Sequence, residues 1–291
     1  MIRGSLVAIV TPMQPDNSID EKSLHALVDW HLQEKTDGIV VTGTTGESAA
    51  LTEDEQTRVI SLVVDQVAKR IPVIAGTGTN NTQHTISLTQ HAKELGVDAA
   101  LIVTPYYVKP SQKGLIAHYC AVAEQVDLPI VLYNVPARTA CDLLPETAEQ
   151  LSKVKNIIGI KEATGKVERI TEIRKRAGKD FAIYSGDDPT VLDALLLGAD
   201  GVISVTANVT PRKMHELCAA VFAGDAERAK SIQETLLPLH QKLFLESNPV
   251  PVKWALHQMH LIPPGIRLPL SPFSSEFHAD LKSAMKLAGL H

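Results

Sequence analysis

The chain has 291 residues, of which 44% are hydrophobic, 4% aromatic and 21% charged, and its 28 basic and 33 acidic side chains give a net charge of −5. That balance excludes collagen-like and disordered chains and leaves no basic footprint for nucleic acid or anionic lipid. The three cysteines, Cys120, Cys141 and Cys218, stand far apart and outside any CxxC pair, which argues against a disulfide framework or thiolate metal site and fits a reducing cytoplasm.

In chain order, the segment from Met1 to Pro12 carries one positive charge and an apolar run of about five residues, too short for a secretion signal. No window reaches the roughly 18 apolar residues of a membrane span. Eight short apolar runs recur, at 6–10, 38–42, 72–75, 99–104, 129–133, 157–160, 181–184 and 201–205. Each is nearly continuous in β-branched and aliphatic residues, the pattern of strands covered on both faces of a parallel sheet. Segments of helical period lie between them, such as Leu24, Leu27, Val28, His31 and Leu32, then Val59, Ile60, Val63, Val64 and Val67. Thr52-Glu53-Asp54-Glu55 reads as a capping box, and Asp188-Pro189 and Thr210-Pro211 each place a cap residue before a proline at the first helical position.

Strand and helix pairs spaced roughly 20 to 34 residues apart predict an α/β fold, a (β/α)8 TIM barrel, with an open doubly wound sheet as the alternative. Past residue 224 strand signals cease, and 226–245, 251–259 and 275–288 read as helices, interrupted by loops at Pro263-Pro264-Gly265 and Leu268-Pro269-Leu270. The expected division is a catalytic barrel over 1–224 and a C-terminal helical domain over 225–291. No internal repeat is evident.

Barrels of this kind build their sites at the C-terminal ends of the strands. Lys161 ends the sixth run, with Gly159 and Ala163 expected on its face and Ile158, Ile160 and Glu162 on the other. Surroundings of low dielectric raise the small neutral fraction of an ordinary lysine, which is how a Schiff-base lysine is prepared. On position alone the same side chain could equally reach solvent or pair with Glu162. Tyr133, ending the fifth run, offers a phenol for proton transfer or a ring for rim packing. The turn Gly43-Thr44-Thr45-Gly46 offers consecutive N–H groups and two hydroxyls to a small carboxylate, and Arg138 offers a bidentate fork at the same rim; a plain turn and a solvated arginine are the alternatives.

Other motifs fall short. Gly76-Thr77-Gly78-Thr79-Asn80-Asn81 begins like a dinucleotide fingerprint but lacks its third glycine. A metal-dependent hydrolase barrel would carry paired histidines where this chain has Val10-Thr11-Pro12, so zinc is not expected. His84 with His91 and His257 with His260 read as surface or packing groups.

Together, Gly43-Thr44-Thr45-Gly46-Glu47, Tyr133-Asn134-Val135-Pro136, Gly159-Ile160-Lys161-Glu162 and Ser185-Gly186-Asp187-Asp188 resemble the pyruvate-dependent class I aldolase family that includes dihydrodipicolinate synthase and N-acetylneuraminate lyase. The resemblance covers essentially the whole chain, and Asn248-Pro249-Val250-Pro251-Val252-Lys253-Trp254 is similar to the synthase branch. It implies that Lys161 forms an imine with pyruvate, that Tyr133, Thr44 and a neighbouring subunit's Tyr107 relay protons, and that Thr45 holds the pyruvate carboxylate. Gly186 and Ile203 would line the pocket through backbone groups. Arg138 would hold the carboxylate of an incoming aldehyde, aspartate 4-semialdehyde. The implied enzyme uses no cofactor and assembles as a dimer of dimers, with Tyr106 at the subunit contact. An N-acetylneuraminate or sugar-acid lyase is the alternative within the family, which Arg138 disfavours, and a barrel that only binds is the alternative outside it. The family's regulatory cleft for lysine is partly matched by Ser48, Ala49, Asn80 and Tyr106. Glu53 and Gln56 stand where histidines are common, and His84 stands where a glutamate meets the ligand's ammonium, so weak or absent lysine inhibition is expected.

Overall fold

Strands that are aliphatic on both faces present two apolar surfaces to be covered, and the chain buries both. The computed structural model describes residues 2–290; Met1 and His291, the outer limits of the expected division, lie outside the described residues. The strands are β1 (Gly4–Ala8), β2 (Gly38–Val41), β3 (Val73–Gly76), β4 (Ala99–Val103), β5 (Ile130–Asn134), β6 (Ile157–Glu162), β7 (Ala182–Ser185) and β8 (Gly201–Ser204). They run parallel in chain order and close into one barrel, which excludes the open sheet. Around them lie α1 (Glu21–Gln33), α2 (Glu53–Val67), α3 (Thr82–Glu94), α4 (Gln112–Gln125), the one-turn α5 (Pro136–Thr139), α6 (Pro145–Leu151), α7 (Glu168–Ala177), α8 (Val191–Leu196) and α9 (Pro211–Phe222). The chain continues through α10 (Ala226–Lys242), α11 (Val250–Gln258) and α12 (His278–Leu287).

Leu6, Val40, Ile74, Leu101, Val131 and Ile203 fill the barrel's interior. The opposite strand faces join the helices in a second cluster that runs on without a break into Leu236, Leu239, Val252, Leu256 and Leu281 of the last three helices. The C-terminal helices are therefore packed on the barrel by the same apolar burial that holds its own helices.

Four expectations need correction. The first strand lies two residues earlier than its apolar run: Gly4 and Ser5 pair with Gly201 and Val202 of β8, and at the other end the Val10 N–H leaves the ladder and donates to Asn208 Oδ1 at 3.1 Å. Asp188 does not begin a helix: α8 starts at Val191, and the Asp188 carboxylate instead accepts the N–H groups of Val205 (3.0 Å) and Thr206 (2.9 Å) beyond β8. Thr210-Pro211 does open α9, yet the Thr210 hydroxyl turns to the Thr206 carbonyl at 3.3 Å and caps nothing. Ile158 packs with the interior rather than sharing the outer face with Ile160, since the register slips between Ile130/Ile157 and Val131/Gly159 and the extra residue of this bulge reverses the alternation.

The N-terminal end of the barrel carries a repeat that the sequence conceals. Asp37, Asp98 and Asp200 immediately precede β2, β4 and β8, and each carboxylate accepts an N–H of the preceding odd strand: Ser5 (2.8 Å), Val73 (2.8 Å) and Ile183 (3.0 Å). Before β6 the amide of Asn156 does related work, donating to the carbonyls of Ala123, Val126 and Leu128 at 3.0, 3.0 and 3.3 Å. Polar groups at this end thus fasten strands together.

Three histidines are buried in the helical shell, His31 on α1, His118 on α4 and His240 on α10, and burial lowers the pKa of each. His31 is hydrogen-bonded through Nδ1 to the Thr36 hydroxyl at 2.8 Å, and burial pushes its pKa from 6.5 down to about 3; burial takes His118 down to about 4. Because the folded values lie below the unfolded one, the unfolded chain binds more protons and stability is lost as pH falls from 6.5 towards 4, by about 1.4 kcal/mol per pH unit for each histidine. Denaturant titrations across that range should show this decline, and His31→Gln should remove about one histidine's share of the slope; an unchanged slope in the variant would count against the assignment.

Candidate active site

Parallel pairing of β5 with β6 sets Tyr133 against Lys161 and Asn134 against Glu162. Alternation then sends the first pair inward and the second outward. Lys161 and Tyr133 are 6% and 8% exposed, and the Lys161 ammonium nitrogen lies 4.4 Å from the centre of the Tyr133 ring. Room for the lysine is made by Gly186 at the end of β7, where a Cβ would come within 2.7 Å of Lys161 Cε and 2.6 Å of Ala163 Cβ. Ile203 on β8 is buried in the same interior.

Glu162 belongs to a different network. Its carboxylate accepts from Arg169 Nε (3.1 Å), Asn134 Nδ2 (3.1 Å) and the Thr164 N–H (2.8 Å), while Asp142 accepts from Asn134 (2.9 Å) and Arg169 (3.0 Å). This outward cluster ties the ends of β5 and β6 together just beyond Tyr133 and Lys161. Lys161 therefore neither reaches solvent nor pairs with Glu162.

The turn after β2 presents less backbone than its glycines suggested. Within it the Gly46 N–H donates to the Gly43 carbonyl and the Glu47 N–H to that of Thr44, each at 3.1 Å. Thr44 is exposed, and Thr45 after it is buried. Thr42 and Glu47 bracket the turn with φ of 51° and 57°, left-handed values that non-glycine residues adopt at a cost. Two C-terminal side chains hold it. Asn248 Nδ2 donates to Thr45 Oγ1 at 2.9 Å, and Lys253 of α11 forms a buried ion pair with Glu47, whose second oxygen accepts the Arg267 N–H at 3.2 Å. The Arg267 guanidinium grips Glu55 at 2.7 and 2.6 Å, which holds that carboxyl down at about 2. Burial lowers the Lys253 ammonium from its usual range although Glu47 acts in the opposite direction.

The remaining residues divide by position. Arg138, exposed on α5, places Nη2 3.5 Å from the Asn248 carbonyl, on the same rim as Thr45. Tyr107 is 87% exposed, at φ 72°, and its N–H donates to the Thr139 carbonyl at 3.3 Å; within one chain it does not meet Lys161. Tyr106 beside it is 40% exposed. Around the mouth of α2 and α3, Ala49, Asn80 and His84 are exposed and Ser48 half-buried, with Gln56 Nε2 donating to the Ser48 carbonyl at 3.1 Å. His84 Nε2 is 3.0 Å from Glu53 Oε1, a proximity the sequence left open. A cavity of about 230 Å³ lies next to them, lined by Glu53, Gln56, Thr57, Gly76 and His91 among others. Gly76 and Gly78 are explained without a nucleotide: a Cβ at either would meet neighbouring backbone at 2.4 Å, the Thr42 carbonyl and the Val103 nitrogen.

Sequence reasoning gave no role to Glu47, Asn248, Lys253 or Arg267. One signal was available: Lys253 is the single charge in Val250-Pro251-Val252-Lys253-Trp254-Ala255-Leu256, where a helix otherwise apolar on all sides must find that charge a partner.

A family model described as the dihydrodipicolinate synthetase family matches residues 1–288. The 4-hydroxy-tetrahydrodipicolinate synthase of Pseudomonas aeruginosa is 58% identical over 290 residues, covering 100% of this chain and 99% of that one. The crystal structure of a chloride-inhibited dihydrodipicolinate synthase from Acinetobacter baumannii, complexed with pyruvate, is 52% identical with a TM-score of 0.99, covering all of both chains. A monomeric dihydrodipicolinate synthase variant is 42% identical with a TM-score of 0.97, covering 100% of this chain and 98% of that one.

Proposed function

The chain belongs to the dihydrodipicolinate synthetase family, and on that premise we propose that Lys161 carries pyruvate as an imine while the strand ends around it run the condensation with aspartate 4-semialdehyde. The reaction is of the lyase class, gives 4-hydroxy-tetrahydrodipicolinate and serves the diaminopimelate and lysine pathway. One observation carries the assignment: a buried lysine set over a tyrosine ring, in space kept open by Gly186, with no carboxylate within 4.0 Å among the described residues.

The Lys161 amine adds to the keto carbon and water leaves, giving a protonated imine. That cation is the electron sink, so the methyl group loses a proton to form an enamine without a metal or organic cofactor. The enamine carbon adds to the aldehyde, and the substrate's own amine then displaces Lys161 by closing the ring. Tyr133 and Thr44 move the protons, joined by Tyr107 from a second subunit, which accounts for that side chain's projection away from its own barrel. Thr45 and the neighbouring N–H groups hold the pyruvate carboxylate, Gly186 and Ile203 line the pocket, and Arg138 takes the carboxylate of the semialdehyde. An N-acetylneuraminate lyase would have no use for that arginine. The division at residue 224 separates a barrel that does the chemistry from helices that support it. No described helix is long and apolar enough to cross a membrane, and a biosynthetic role places the chain in the cytoplasm.

Borohydride reduction with pyruvate should add one adduct per chain, mapped to Lys161 and absent from Lys161→Ala; an adduct on another lysine overturns the scheme. Arg138→Ala should keep the adduct while losing roughly 2 to 4 kcal/mol of semialdehyde use, since only the second substrate's bidentate contact is removed.

Sedimentation under assay conditions should show a dimer or dimer of dimers, and Tyr107→Phe should slow turnover without disturbing pyruvate trapping. A fully active monomer would refute the shared relay.

Lysine should inhibit weakly. His84 brings no negative charge to the ligand's ammonium, and Glu53, which has one, already faces His84. A charge-assisted hydrogen bond contributes roughly 1.5 to 3 kcal/mol, so His84→Glu should strengthen inhibition; half-inhibition of the unmodified enzyme at submillimolar lysine would show this reading of position 84 to be mistaken.

A further inference from the structure

The turn that meets the keto acid's carboxylate is held from outside the barrel, by residues more than 200 positions away in the chain. Asn248 donates to the Thr45 hydroxyl across 203 residues, and Lys253 pairs with Glu47 across 206. One residue, Gly46, separates these anchor points on the turn, and three separate Thr45 from Val41 at the end of β2, so the turn has little freedom left once both contacts are made. Glu47 occupies left-handed backbone, and its carboxylate is fixed on both oxygens, by the Lys253 ammonium and by the Arg267 N–H. Lys253 is 4% exposed and Glu47 likewise buried. A buried ion pair is a poor device for stability, because desolvating two charges offsets most of their attraction and apolar residues of like volume serve as well or better. Burial indeed works against the charged form of Lys253. The pair does, however, fix a direction and a distance, which apolar packing does not.

We propose that Lys253 is a positioning residue for the carboxylate of the keto acid: through Glu47, and alongside Asn248, it holds Thr44 and Thr45 in the geometry that receives that group. This rests on the reading that Lys161 carries pyruvate, and it assigns the C-terminal helices a part in substrate recognition. Lys253 itself touches no substrate. Its effect should therefore be selective for keto acids bearing a charged carboxylate and should spare imine chemistry at Lys161.

The test titrates borohydride trapping with pyruvate and with its neutral methyl ester, in the unmodified enzyme, Lys253→Met, Lys253→Arg and the double variant Glu47→Gln/Lys253→Met. In Lys253→Met the half-saturating pyruvate concentration should rise roughly tenfold or more, the worth of one charge-assisted hydrogen bond. Methyl pyruvate should change less than about twofold, and one adduct on Lys161 should still form at saturation. Lys253→Arg should recover part of the pyruvate preference. The double variant leaves no unpaired buried charge, so it should melt close to the unmodified enzyme while keeping the pyruvate defect; it also decides the matter if Lys253→Met alone folds poorly. Equal weakening of both ligands, or a folded double variant with an unchanged pyruvate requirement, overturns the inference and leaves the imine lysine standing. Absence of any adduct in the unmodified enzyme would instead remove the Schiff-base reading, and this inference with it.

Discussion

Water solvates an ammonium ion far better than a protein interior does, and this chain buries two lysines. The two meet that cost differently. Lys253 sits against Glu47, and the similarly buried Arg169 is answered by Glu162 and Asp142. Lys161, 6% exposed, has the face of Tyr133 and no anion. A buried lysine without a carboxylate partner is what the proposed imine chemistry at Lys161 calls for, since a purely structural lysine would be expected to be paired or replaced. Much of the surrounding architecture protects that condition. Glu162, the carboxylate adjacent in sequence, is drawn to the far side of the sheet and held there by three donors, and Gly186 gives up its side chain so that the lysine's methylenes have room.

The two ends of the barrel divide the labour. At the N-terminal end, three carboxylates accept backbone N–H groups of adjoining strands, and the Asn156 amide donates to carbonyls at the end of α4 and in the loop before β5. At the C-terminal end the loops include left-handed backbone at Thr42, Glu47 and Tyr107. Strain of that kind persists only where neighbouring contacts over-determine it. The C-terminal helices provide them for the turn after β2, while the Asn134, Asp142, Glu162 and Arg169 cluster ties the ends of β5 and β6 together.

All eight strands were legible because burial on two faces writes a continuous apolar run, and Lys161 and Tyr133 were legible because each closes such a run. What escaped reading depended on partners. Asp188 looked like a helix cap because aspartate before proline usually is one, but its carboxylate was claimed by two amides beyond β8. The bulge at Ile158 leaves no mark in composition, so simple alternation misplaced that side chain. Asp37, Asp98 and Asp200 form a repeat in space without forming one in sequence, since only a single residue of each unit is shared. Arg138 could be put on the right rim, whereas Tyr107 received a role only through the family resemblance, because the place of action proposed for it lies outside its own chain.

Glu47 and Lys253 show why a turn of this kind is anchored from so far away. A short loop between a strand and a helix has few side chains, and the proposed reaction reserves those of Thr44 and Thr45 for the ligand. The internal hydrogen bonds of the turn satisfy its Gly46 and Glu47 N–H groups but do not decide where the turn sits over the barrel mouth. That position must be set by something rigid that already packs on the barrel, and α11 meets the requirement because Val252, Ala255 and Leu256 are buried in the cluster it shares with the outer strand faces. A charge at position 253 then converts apolar docking, which is non-directional, into a fixed contact with one carboxylate. The helices beyond the eighth strand are thereby connected to the turn after β2 through packing that any aliphatic sequence could supply and through one ion pair that it could not.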